Sequence, residues 1–271
     1  MTVSTSRIGA ILVKEVAELR RNRMALVPVV LLGVFSIGLP FLIALVIPII
    51  AGEPLASDPE FARVIQRSGF PPGTQHLSDE ALIQAFVFQQ FQMMQLLIPV
   101  TGAMAFAGYS LIGEKQGRTL EPLLATPITT VELLVGKGLG ALLPSLGIML
   151  VATALYFGGM AALALPGVFT TVLNRRSLLL VLGVGPMAAL VALQIAVLVS
   201  SRVNDPRTAQ QFGALLILPL TGLFVMQFNG VFSLTLPIVA GLLAVLTVVW
   251  LILVLVGVAA FERETILTRW K

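Results

Sequence analysis

The chain has 271 residues, of which 57% are hydrophobic and only 11% charged. A soluble domain carries roughly 25% charged residues, so this much apolar surface needs lipid as its solvent. The net charge is +4 and there is no cysteine, which excludes disulfides, thiolate zinc sites and iron–sulfur clusters; the single His76 cannot build a histidine metal site alone. The excess of basic residues fits the cytoplasmic enrichment of Lys and Arg in membrane proteins rather than nucleic-acid binding.

Residues 6–22 read as an amphipathic helix. Ile8, Ile11, Leu12, Val16 and Leu19 share one face, and Arg7, Lys14, Glu18 and Arg21 the other. Glu15 falls within the apolar arc and breaks the pattern. Such a helix can lie in a membrane interface. The segment before residue 24 is too polar for a secretory signal.

Runs free of Asp, Glu, Lys and Arg then place six membrane spans, near 24–50, 89–112, 138–163, 178–199, 210–227 and 236–259. About 20 apolar residues cross roughly 30 Å of hydrocarbon. Gln227-Phe228-Asn229-Gly230 supplies the turn that divides the longest run. With the N-terminus in the cytoplasm, only Arg63, Arg67, Arg175 and Arg176 of the 17 basic residues fall outside. The six-span arrangement therefore obeys the positive-inside rule, with both termini cytoplasmic. Continuous apolar runs, without strand-like alternation, exclude a β-barrel. The fold class expected is all-α and polytopic.

Between the first two spans, Asp58-Pro59-Glu60 marks the start of a short helix through Phe61, Val64 and Ile65. Pro71-Pro72-Gly73 breaks it, and Ser78 with Asp79 and Glu80 caps the helix that becomes span two. On that helix Gln89, Gln92 and Gln95 lie three apart and can share a face. They are candidates for a polar lining of a translocation path; interhelical hydrogen bonding is the simpler alternative. Gly136 with Gly140, and Ala188, Ala192 and Ala196, have the small-residue spacing of close helix packing. No Asp, Glu, Lys, Arg or His lies inside a predicted span, which argues against a proton-coupled carrier or an intramembrane protease.

The segment 113–137 between spans two and three carries most information. It reads as two short helical pieces separated by Pro127, the second capped by Thr129 or Thr130. An apolar ridge edged by charge, just below a membrane, suits docking into a groove on another protein. An amphipathic loop tucked under the bundle is the plainer reading. For Glu121, a salt bridge to Arg118 or Lys115 stands beside partner contact.

This segment resembles the cytoplasmic loop of ABC-2 type transporter permeases. The resemblance rests on Glu114-Lys115, Gly117, Thr119-Leu120-Glu121, Leu123-Leu124-Ala125-Thr126-Pro127, Glu132-Leu133-Leu134 and Gly136-Lys137, with Arg118 as an insertion between the usual Gly and Thr. Lys14-Glu15 followed by Arg20-Arg21-Asn22-Arg23, and the 200–211 segment Ser200-Ser201-Arg202-Val203-Asn204-Asp205-Pro206-Arg207-Thr208-Ala209-Gln210-Gln211, resemble the same family in order and spacing.

The resemblance implies one transmembrane domain over residues 1–271, with 1–23 as the cytoplasmic interfacial helix. It implies a permease subunit in a cell membrane that forms the translocation path, exports, and pairs with a second permease as a homodimer or heterodimer. A separate P-loop ATPase would bind ATP and Mg, with no cofactor on this chain. Gly136-Lys137-Gly138 lacks the Ser or Thr of a P-loop, so no catalytic residue is expected here. The residues it marks for coupling to that ATPase are Lys14, Glu15, Glu114, Gly117, Thr119, Leu120, Glu121, Leu123, Leu124, Pro127, Glu132 and Lys137. An autonomous carrier or channel, and a non-transport membrane scaffold, remain the competing functions.

Overall fold

In a computed structural model the protein is described over residues 4–59, 61, 63, 74, 77–116, 128–202, 206–229 and 234–260. Every regular element among them is helical. Lipid offers no partner for backbone N–H and C=O groups, so a continuous apolar chain closes its own hydrogen bonds as helix.

Helix α1, Thr5–Arg21, ends at Asn22. The Asn22 side chain accepts from the Ala25 amide at 3.2 Å and so caps the next helix. That helix, α2 (Arg23–Ala51), contains Pro28 and Pro40 and passes through a π turn at Leu42–Val46. Helix α3 starts at Asp79, where Ser78 caps by accepting from the Ala81 amide at 3.3 Å. It runs through a 3-10 turn at Gln92–Leu96 and continues to Gln116. Helix α4 is Thr130–Leu163 and the short α5 is Val168–Val172. Helix α6 begins at Arg175, contains a π turn at Leu180–Val184 and ends at Arg202. Helices α7, Pro206–Phe228, and α8, Leu236–Ala260, complete the chain order.

Five of these helices are long and apolar enough to cross a membrane, namely α2, α3, α4, α6 and α8. In α7 the apolar part among the described side chains is the shorter Ile217–Phe228. The turn expected at 227–230 falls where α7 ends, since Phe228 is its last residue. The short helix expected through Phe61, Val64 and Ile65 lies mostly outside the described residues, as does Pro71-Pro72-Gly73.

Polarity decides which helix sits where. The most apolar stretch of α3 is 78% buried, whereas that of α8 is 6% buried. Helix α3 carries the glutamines, and protein can satisfy an amide where lipid cannot. It therefore forms the axis, while α8 turns its Leu and Val side chains outward. Around α3 pack α4, with Met149 and Ala152, and α6, with Ala188, Ala192 and Ala196. That alanine series is buried, as its spacing predicts.

The irregular turns have partners. The carbonyl of Ala44, in the π turn of α2, accepts from Gln84 Nε2 at 3.3 Å. Gln84 Oε1 accepts from the Leu165 amide at 3.1 Å, so one side chain ties α2 to the segment after α4. Glu80 accepts from the amides of Leu55 and Ala56 at 3.3 and 3.0 Å and anchors the turn after α2. Nearby, Phe41 meets Phe88 edge to face at 5.0 Å, and the Tyr156 hydroxyl donates to the Phe88 carbonyl.

Helices α3 and α4 approach closely at Gly102. A Cβ there would stand 2.6 Å from Cβ of Ser145, which is fully buried and cannot swing away. Replacing Gly102 by Val should destabilise the bundle by about 1–3 kcal/mol through overpacking. Thermal unfolding in detergent measures this, and G102A with S145G should recover most of the loss that G102A causes alone.

Candidate functional site

The first turns of α4 are the end of the bundle where three elements meet. Thr129 is the N-cap: its hydroxyl accepts from the Glu132 amide at 3.2 Å, and Glu132 accepts from the Thr129 amide at 2.8 Å. This reciprocal pair is a capping box, legible in the Thr-x-x-Glu spacing. The other Glu132 oxygen accepts from the Ser4 amide at 2.7 Å, and the Arg7 guanidinium lies 3.6 Å away. These bonds pin the start of α1 to the start of α4.

From there α1 follows α4 in the same direction. Ile11 covers Gly136, where a Cβ would meet Ile11 Cβ at 2.8 Å. Glu15 covers Gly140, where a Cβ would meet Glu15 Cβ at 2.5 Å. The i, i+4 pair of glycines on α4 thus receives the i, i+4 pair Ile11 and Glu15 on α1. The close packing expected of Gly136 and Gly140 is present, and its partner is the amphipathic helix.

Between the glycines stands Lys137. Its ammonium donates to Glu15 Oε1 at 3.0 Å and to Ser110 Oγ, near the end of α3, at 2.9 Å. Lys137 is 4% exposed and Glu15 6%. This explains the acidic break in the apolar arc of α1: Glu15 faces inward because Lys137 is there. Two buried ions repay their desolvation only with good geometry, so the pair adds little net stability but specifies where α1 sits. Lys14, the neighbour of Glu15, points outward and lies 3.6 Å from Glu18.

The structure therefore separates the residues marked for coupling. Glu15, Glu132 and Lys137 form the inner lock, and Lys14 is on the outer face of α1. Glu114 belongs to the last turn of α3, and its side chain is outside the described ones. Gly117, Thr119, Leu120, Glu121, Leu123, Leu124 and Pro127 lie outside the described residues. The flanks of that segment are close together, because Ser110 and Lys137 bond. Ser110 and Ser4 belong to the lock and carry no sequence signal of their own, whereas Ile11 on the apolar face of α1, the residues Glu15, Glu132 and Lys137, and the Gly136–Gly140 spacing are all marked in the sequence.

The glutamines of α3 occupy a different place. Gln92 and Gln95 are fully buried, while Gln89 is half-buried. The 3-10 turn nearly eclipses residues three apart, which puts Gln92 and Gln95 one above the other. Gln92 Oε1 accepts from Ser177 Oγ of α6 at 2.9 Å, and Gln95 Oε1 accepts from Thr153 Oγ1 of α4 at 3.2 Å. Both are thus interhelical bonds, and each amide nitrogen has no hydrogen-bond partner among the described residues.

Breaking the lock from one side should be costly. Lys137→Met leaves a buried carboxylate unpaired and should lower stability by about 3–5 kcal/mol, whereas K137M with E15L removes both charges and should recover most of that. Unfolding midpoints in detergent, with limited proteolysis between α1 and α2, measure both variants.

Comparison with known sequences gives one result. A family model described as ABC-2 family transporter protein matches residues 9–237. No curated protein and no solved structure matches the chain.

Proposed function

The chain belongs to the ABC-2 family of transporter proteins, a multi-pass membrane protein with an ABC transporter permease role, and from this premise we propose that it is the membrane subunit driven by a separate cytoplasmic P-loop ATPase. The observation that carries the reading is the buried Lys137–Glu15 pair with its bond to Ser110. It joins α1, α3 and α4 beside the segment 114–137 that resembles a docking loop.

A loop on a flexible tether would lose a partner's motion. Here the two helices that carry the loop, and the helix that precedes the first span, share one buried contact. Movement of an ATPase seated on Leu120, Leu123 and Leu124 would pass through that contact to α3 and α4 together. Glu114, Gly117, Thr119, Glu121 and Pro127 would shape the seat. Lys14 would face the partner; Glu15, Glu132 and Lys137 would transmit. ATP and Mg would bind only to the ATPase. The path would run beside the central α3, with Gln89 its half-buried amide and Gln92 and Gln95 holding the neighbouring helices.

In this reading six spans place both termini in the cytoplasm of a cell membrane. Two such permeases, alike or different, would form an exporter. The natural lack of cysteine offers a direct check. A cysteine introduced at Asn229 should react with a membrane-impermeant maleimide from outside, and one at Gln116 only after permeabilisation. The reverse, or labelling of both from one side, would overturn the topology.

The partner is checked by co-purification in mild detergent. A stoichiometric P-loop ATPase should accompany the native chain and be lost with Leu123→Asp plus Leu124→Asp, while membrane insertion is unchanged. Retention of the ATPase by that variant would remove the docking assignment, and absence of any ATPase from a folded native preparation would favour an autonomous carrier or a scaffold.

A further inference from the structure

Past Gly140 the close contact between α1 and α4 ends and a crevice of about 420 Å³ opens. Its walls are Leu12, Val16 and Leu19 of α1, Leu26 of α2, and Leu143 and Ile148 of α4. Among the lining residues Arg20 is the charged one. Leu143 is 48% exposed, so one wall faces the hydrocarbon that surrounds the bundle.

Arg20 is exposed at the edge of the crevice. Arg20, Arg21 and Arg23 are all exposed and follow one another around the α1–α2 corner. The nearest acid before them, Glu18, lies 3.6 Å from Lys14. An apolar slot edged by the Arg20 guanidinium, near where the first span begins, combines the two halves of a phospholipid's chemistry. Basic pockets between spans recognise anionic head groups, and guanidinium pairs with phosphate through parallel hydrogen bonds.

We propose that this crevice binds one anionic phospholipid of the leaflet that α1 adjoins. An acyl chain fills the space between Leu12, Val16, Leu26 and Leu143, and the phosphate rests on Arg20. The lipid completes the seat of α1 where the glycines end. Membrane composition would then bear on how firmly α1 is held against α4.

The chain contains two tryptophans, so L143W in a W250F, W270F background gives a single reporter in the crevice. The protein is placed in vesicles containing either brominated phosphatidylglycerol or brominated phosphatidylcholine. Half-maximal quenching should need an about fivefold lower mole fraction of the anionic lipid, the selectivity of roughly one basic contact. R20Q should abolish that difference. A reference L255W on α8, where Leu255 is 71% exposed, should respond to both lipids alike. Equal quenching at 143, a preference that survives R20Q, or the same preference at 255 would each overturn the site. If L143W does not fold, lipid extracted from the purified unsubstituted chain and from R20Q decides instead. Enrichment of anionic phospholipid over the bulk membrane, lost with R20Q, is expected; identical compositions would refute it.

Discussion

The arrangement of this permease depends on one buried ammonium. Lys137 stands near the start of α4, almost without solvent, and reaches Glu15 of α1 and Ser110 of α3. A charge in that position is tolerable only when its partners are in place. The requirement acts on the backbone as well. Glu15 can reach Lys137 because Gly140 lets the two helices touch, and Gly136 does the same for Ile11. Charge and small-residue packing are therefore one device, and the Glu132 capping box extends it to Ser4.

The same logic orders the rest of the bundle. Lipid penalises every unsatisfied polar group, so the helices that depart from regular geometry do so against protein. The π turn of α2 turns the Ala44 carbonyl to Gln84, and the 3-10 turn of α3 stacks Gln92 and Gln95 towards Ser177 and Thr153. The least apolar long helix is central and the most apolar one peripheral. At the α1 end the charges lock the helices together; at the other end Phe41, Phe88 and Tyr156 pack edge to face. The α1 end is thus the polar one.

Much of this was legible beforehand, and the shortfalls share a cause. Ser78 and Thr129 as caps, the stop at Phe228 and the buried alanine series follow from local chemistry, because caps and periodicities are properties of a few consecutive residues. The six predicted spans compare with five helices of spanning length and composition, since only Ile217–Phe228 of α7 contributes described apolar side chains. Span four, placed at 178–199, belongs to a helix whose first turn already holds Arg175 and Arg176. Counting charges locates the edge of an apolar run, whereas a helix starts at its cap, here Asn174, whose side chain accepts from the Ser177 amide at 3.0 Å. Span three likewise begins eight residues into a helix that starts at Thr130.

By itself the sequence determined the solvent, the helical class, the family resemblance and the residues worth watching. Composition fixes the solvent, and motifs in order fix the family. Tertiary structure alone decided what Glu15, Lys137 and the glutamines do. Glu15 is an oddity on its own helix and becomes a necessity once α4 is beside it. Gln92 and Gln95 are a polar face in sequence and a pair of interhelical bonds in space. The reason is distance along the chain: Glu15 and Lys137 are 122 residues apart, and no local pattern encodes which distant helix will meet which.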